Sequence, residues 1–225
     1  MSIRNLLITF FVISVLTTSC LTAKKVDAYI ADQYGNQLPK QDKKKDSVIN
    51  ITNTVEPVSP AISTTVIKTS KMLPLLFYWQ WEYRRTSTLN PSIAVANFSK
   101  AVRLQSHKTL YKKLNGQQLE LTIEQLPGTF AFVDKAHLIW IILGKISWDK
   151  IYTEAAVADM IVSYKVLQNG VATKSGSITI TNTDKNKKFR FLESWRTAIS
   201  EYLDNYNQNV TTMSKDFVDQ LAKEL

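Results

Sequence analysis

The sequence predicts an α+β fold, a mainly antiparallel sheet with about three helices packed on one face. Three observations carry this reading. The run Leu75–Arg85 (LLFYWQWEYRR) sets large aromatics against increasingly polar residues at period two, the pattern of a strand with one buried face. Asn169-Gly170 separates two alternating runs, and both residues tolerate the positive φ that a two-residue hairpin turn demands. Helical spacing occurs twice, after Asn90-Pro91 and along the C-terminal segment from Leu192 onward.

The elements follow in chain order. Residues 20–46 are polar and lysine-rich, with Gly35 and Pro39 interrupting any regular element, and read as a tether ahead of a single domain over 47–225. The same lysines also suit contact with anionic headgroups. Within that stretch Val26–Ile30 alternates and fits a short edge strand. Val48–Val55 is a weak strand, and Thr64–Ser70 is rich in β-formers. Asn90 is placed to cap a helix with Pro91 at its first position. That helix is expected to run to Leu114, burying Val95, Phe98 and Val102, with Lys112 and Lys113 in its last turn and Gly116 beyond it.

Gln118–Leu126 alternates as a strand. The unbroken apolar run Leu138–Leu143 fits either a central strand covered on both faces or a buried helix. Its β-branched and aromatic content, with Gly144 after it, favours the strand. Ala156–Leu167 and Val171–Thr181 form the hairpin around Asn169-Gly170. Leu192, Trp195, Ile199, Tyr202 and Leu203 make one helical stripe, Asn205–Asn209 interrupts it, and a second helix carries Met213, Phe217, Val218, Leu221 and Leu225. Such a sheet turns Trp79 and Trp81 towards its helix-covered side, against Trp195.

Composition excludes several chemistries. The 225 residues are 44% hydrophobic, enough for a core, but they include one cysteine and two histidines. A cysteine-rich metal site and an internal disulfide are out of reach. His107 reads as a solvated helix residue and His137 as a polar residue at a strand start. The sequence has no G-x-S-x-G, H-E-x-x-H or phosphate-binding loop. No catalytic residue, metal ligand or cofactor is therefore nominated, and a non-enzymatic protein is expected. The formal charge of +9 is spread along the chain and densest between Lys40 and Lys45, which does not suggest a nucleic-acid partner.

The N-terminus is the most directive segment. Arg4 precedes the apolar stretch Leu6–Leu16, which spans only about 16 Å as a helix against a bilayer core of roughly 30 Å. It reads as a signal segment over 1–19. The single cysteine, Cys20, follows Thr17, Thr18 and Ser19, and this resembles the lipobox of bacterial lipoproteins, although Thr17 stands where an aliphatic residue is usual. The resemblance implies cleavage before Cys20, a diacylglycerol on its thiol and N-terminal acylation such as palmitate. The protein would then be membrane-attached in the cell envelope, on the outer membrane facing the periplasm.

The hairpin Lys165–Thr173 followed by helices ending in FVDQLAKEL resembles, over about residues 60–225, small auxiliary lipoproteins of lipopolysaccharide assembly and of ABC-type lipid transport. That resemblance implies a non-enzymatic accessory of an envelope complex or of amphiphile transport, with an envelope protein or a lipid as partner. The candidate binding feature is the aromatic face Phe77, Trp79, Trp81 and Tyr83. Such a stripe is either core or a surface for an acyl chain or a partner peptide.

Overall fold

The computed structural model describes residues 22–33, 48–54, 62–74, 77–141, 144–155, 158–183, 185–189 and 193–225. Cys20, the signal segment and the lysine cluster at 40–45 lie outside them. The fold is α+β. Where one sheet with about three helices was expected, the described residues hold two sheets and four helices. The order is α1 (Ala23–Gln33), β1 (Ile49–Asn53), β2 (Ile62–Leu73), β3 (Tyr78–Leu89), α2 (Pro91–Ser106), α3 (Leu110–Leu114), β4 (Gln118–Gln125), β5 (Thr129–Ile141), β6 (Gly144–Ala155), β7 (Met160–Gln168), β8 (Val171–Ile180), β9 (Lys187–Lys188) and α4 (Trp195–Glu224).

The smaller sheet runs β1-β4-β7-β8, and only the β1–β4 pair is parallel. Its alternating residues Leu119, Leu121, Ile123, Met160, Val162, Val166, Ile178 and Ile180 are buried beneath the helices. The predicted hairpin joins β7 to β8, with Asn169 at φ 53° and Gly170 at φ 82°. The larger sheet runs β2-β3-β5-β6-β9 and is antiparallel throughout.

Helix α4 joins the two sheets. Its buried face includes Ile199, Tyr202, Tyr206, Val210, Phe217 and Leu221. Tyr202 stacks on Phe130 of the larger sheet, ring centres 4.3 Å apart, while Phe217 meets Phe98 of α2 at 5.6 Å. At its far end Glu224 accepts a hydrogen bond from the Tyr164 hydroxyl on the smaller sheet. The expected break at Asn205–Asn209 is absent because tertiary partners hold these weak helix formers. Tyr206 donates to the Pro127 carbonyl at 2.8 Å, Asn207 accepts from Asn97 at 2.8 Å, and Asn209 donates to Asn182 at 2.7 Å.

Five other readings change. Val26–Ile30 lies in helix α1, not in a strand. A spacing of four satisfies both periods, and Val26 and Ile30 are fully buried while Tyr29 packs edge-on against Trp195 at 5.4 Å. Part of the stretch read as a tether thus belongs to the core. The helix after Asn90 starts as predicted, Asn90 accepting from the Ser92 amide at 2.9 Å, but stops at Ser106 and resumes as the short α3. Strand β6, not anticipated, follows Gly144, which opens a hairpin instead of ending a strand. The apolar run in β5 is central in the sheet but uncovered at its end, where Trp140 and Ile141 are exposed. Trp195 packs on α1, away from Trp79 and Trp81, which the helices leave uncovered.

Candidate functional site

Strands β2 and β3 form one long hairpin and β5 and β6 a second, and both turn at the same end of the larger sheet. The continuous register aligns residues in rows across the four strands. Thr64, Ser87, Phe130 and Ala155 make one row near the core; Met72, Trp79, Leu138 and Ser147 make another eight residues further along β2. The half of the sheet from the Val66 row outward forms an arm about 30 Å long, measured along β5 from Phe132 to Ile141 at 3.3 Å per residue.

The arm collects the exposed apolar surface. Of the thirteen large hydrophobic residues exposed among the described residues, eleven lie on it, and only Leu104 and Val171 lie elsewhere. Isolated exposed apolar residues are ordinary, but a contiguous group marks an interaction surface. The predicted stripe is present: Trp79, Trp81 and Tyr83 share the face that carries buried Phe130 and Phe132 nearer the core. Phe77 stands at the turn, 58% exposed. The structure adds Met72, Leu138 and Trp140 on that same face, and Leu73, Ile139, Ile146 and Trp148 on the opposite one.

Phe77 has φ 43°, a left-handed conformation unfavourable for a side chain that bulky. Its amide donates to the Pro74 carbonyl at 3.1 Å, and its own carbonyl accepts from the Trp140 amide at 2.9 Å, tying the two hairpin ends together. A strained backbone thus presents an aromatic ring to solvent, an arrangement typical of functional positions.

The stem of the arm is polar and tightly paired. On the face opposite the stripe, Arg84 meets Glu154 at 2.6 Å and Lys135 meets Glu82 at 3.0 Å. On the stripe face Lys68 and Arg85 both lie over the Tyr83 ring, at 5.3 and 5.8 Å. His137 is buried within β5, not at a strand start. Its Nδ1 lies 2.6 Å from the Tyr78 hydroxyl, and its ring stacks on Trp148 at 5.0 Å. Burial first, then Lys150 and Lys135, hold its pKa below the usual imidazole range, with Asp149 opposing. It is therefore neutral at pH 7 and acts as a flat platform under Trp148. His107, in turn, stacks on Tyr111 at 4.7 Å beside α3.

Asp134 and Asp149 interact on the stripe face. Burial, then Asp149, raise the Asp134 pKa, and Arg85 opposes. Both stand on a sheet face that is open at Asp149. Among the described residues no group of three His, Cys, Asp or Glu side chains is placed to hold a metal ion, and no helix is long and apolar enough to cross a membrane. Comparison of the chain with family models, with curated proteins and with solved structures gave no match.

Sequence reasoning found one strand of this surface and missed the rest. Ile146, Trp148 and Ile151 belong to β6, whose charged Lys145, Asp149 and Lys150 obscure its short alternation. The spacing Ile146-x-Trp148 was the available signal.

Proposed function

We propose that the chain is a bacterial envelope lipoprotein, held to a membrane through acyl chains on Cys20. Its role is that of a non-enzymatic binding and assembly accessory to an envelope complex or an amphiphile transport system, and it takes no nucleic acid. The lipobox-like Leu16–Cys20 segment supports the anchoring half of this reading. The binding half is carried by one observation, the clustering of exposed aromatic and aliphatic residues on the arm. A purely structural lipoprotein has no use for such a surface, since residues this exposed contribute little to the core. An envelope hydrolase is the weaker alternative, resting on Asp134 and Asp149 alone.

Two experiments test the proposal. Cys20→Ala is expected to shift the protein from the detergent phase to the aqueous phase, and unchanged partitioning would defeat the anchor. Trp81→Ala and Phe77→Ala are expected to abolish recovery of a crosslinked partner or lipid from membranes while leaving the circular dichroism spectrum intact. Equal recovery from these variants would defeat the binding surface.

A further inference from the structure

We propose that the tip of the arm is a membrane-insertion element, entering the headgroup region of an anionic lipid bilayer. The inference rests on the reading of the arm as the binding surface and names what that surface binds.

Three observations lead there. First, the tip is mainly apolar on both faces, its one charged side chain being the exposed Lys145, registered with Trp140. Met72, Trp79, Leu138 and Trp140 lie on one side and Leu73, Ile139 and Ile146 on the other, with Phe77 at the turn. A protein partner that covers one face leaves the other in water, whereas a lipid phase surrounds a wedge from every side.

Second, two tryptophans stand at one level of the arm with lysines around them. Trp81 on one face and Trp148 on the other occupy adjacent rows, in register with Ser70 and Lys71 of β2. The exposed Lys68, Lys71 and Lys150 stand within three residues of that level along β2 or its registered partners, against exposed Asp149. Tryptophan at the boundary with lysine beside it is the arrangement of a membrane–water interface, and the lysine excess complements anionic headgroups. The tip beyond this belt, apolar except for Ser147 and a lysine, Lys145, long enough to reach back to the headgroups, is about four residues high, or roughly 13 Å.

Third, the sheet edges limit the depth. β2 ends the sheet on one side, and β9 pairs with β6 only at Tyr152 and Thr153, so both edges of the tip carry backbone groups without a strand partner among the described residues. Open edges do not enter hydrocarbon, which confines the wedge to the interfacial layer, roughly 5–10 Å deep.

The test uses the chain from residue 20 with Cys20→Ala, which lacks an acyl chain and contains every residue of the described core, Val26 to Leu221. Flotation with vesicles of phosphatidylethanolamine and phosphatidylglycerol is expected, with weak flotation on phosphatidylcholine alone. Tryptophan emission should shift to the blue and be quenched by lipids brominated near the headgroup. Phe77→Asp, Trp140→Asp and Ile146→Asp, all at exposed positions, should each lower partitioning about tenfold with unchanged circular dichroism, and Val171→Asp should not. No flotation, or flotation indifferent to the tip substitutions, overturns the inference. A photoreactive residue at Phe77 separates the two readings. Crosslinks to lipid support insertion. Crosslinks to a protein without vesicle binding overturn insertion and leave the accessory role standing. No crosslink together with no vesicle binding overturns both.

Discussion

The two halves of the larger sheet share four strands and one register, yet meet opposite surroundings. Near the core, Phe130 and Phe132 are buried against Tyr202 and Phe189. Further out on the same face, Trp81 is exposed, and Trp140 is 53% exposed at the tip. Along β5 large apolar residues stand two apart on this face in both halves, Phe130 and Phe132 near the core and Leu138 and Trp140 at the tip. Period two therefore assigns a residue to a face, and only the neighbouring elements decide whether that face is covered.

The contrast is broken most strongly by truncation. Phe130→Ala is expected to cost about 3–5 kcal/mol, whereas Phe77→Ala, at the turn and 58% exposed, costs about 1 kcal/mol, measured by urea unfolding. Comparable losses would place the arm in the core. Next comes Gly176→Ala. A Cβ there would lie 2.9 Å from the buried Tyr164 ring that pairs with Gly176 across β7 and β8, so a loss of about 1–3 kcal/mol is expected.

Tyr164→Phe should cost about 1 kcal/mol by removing the hydrogen bond to Glu224. That bond and burial push the Tyr164 pKa up to about 12, from 10.0 in the unfolded chain. The native state keeps a proton that the unfolded state loses, so the contribution is full below pH 10 and is lost as the pH rises towards 12. The Phe variant should lack this alkaline decline.

The smallest effect lies where the two halves meet. Asp134 titrates above its ordinary value of 3.8, so its ionised form opposes folding and stability falls as the pH rises through that elevated range. Asp134→Asn should raise Tm at pH 7 by about 1–2 °C and remove this slope. A lowered Tm would mean that Arg85 outweighs burial and Asp149.

Local chemistry was legible wherever it acts alone. The Asn90-Pro91 helix start, the Asn169-Gly170 turn and strand β4 all lie as the residues indicate. Long-range partners decided the rest. Asn207 and Asn209 stay helical through Asn97 and Asn182, and Val26 and Ile30 are helical where spacing alone fits either period. Of the candidate surface, Phe77 to Tyr83 was visible in one strand. Its exposure, and the contribution of Trp140, Ile146 and Trp148, depend on strand pairing that no local pattern encodes.

Helix α4 carries a consequence for timing. The thirty residues of α4 provide the face on which both sheets close, and β1 pairs with β4, about seventy residues away. A chain emerging N-terminus first therefore has no complete core until α4, which follows every strand of both sheets, is free. Folding of the domain waits on α4, and in the interval the apolar strands of both sheets stand open to chaperones or to one another.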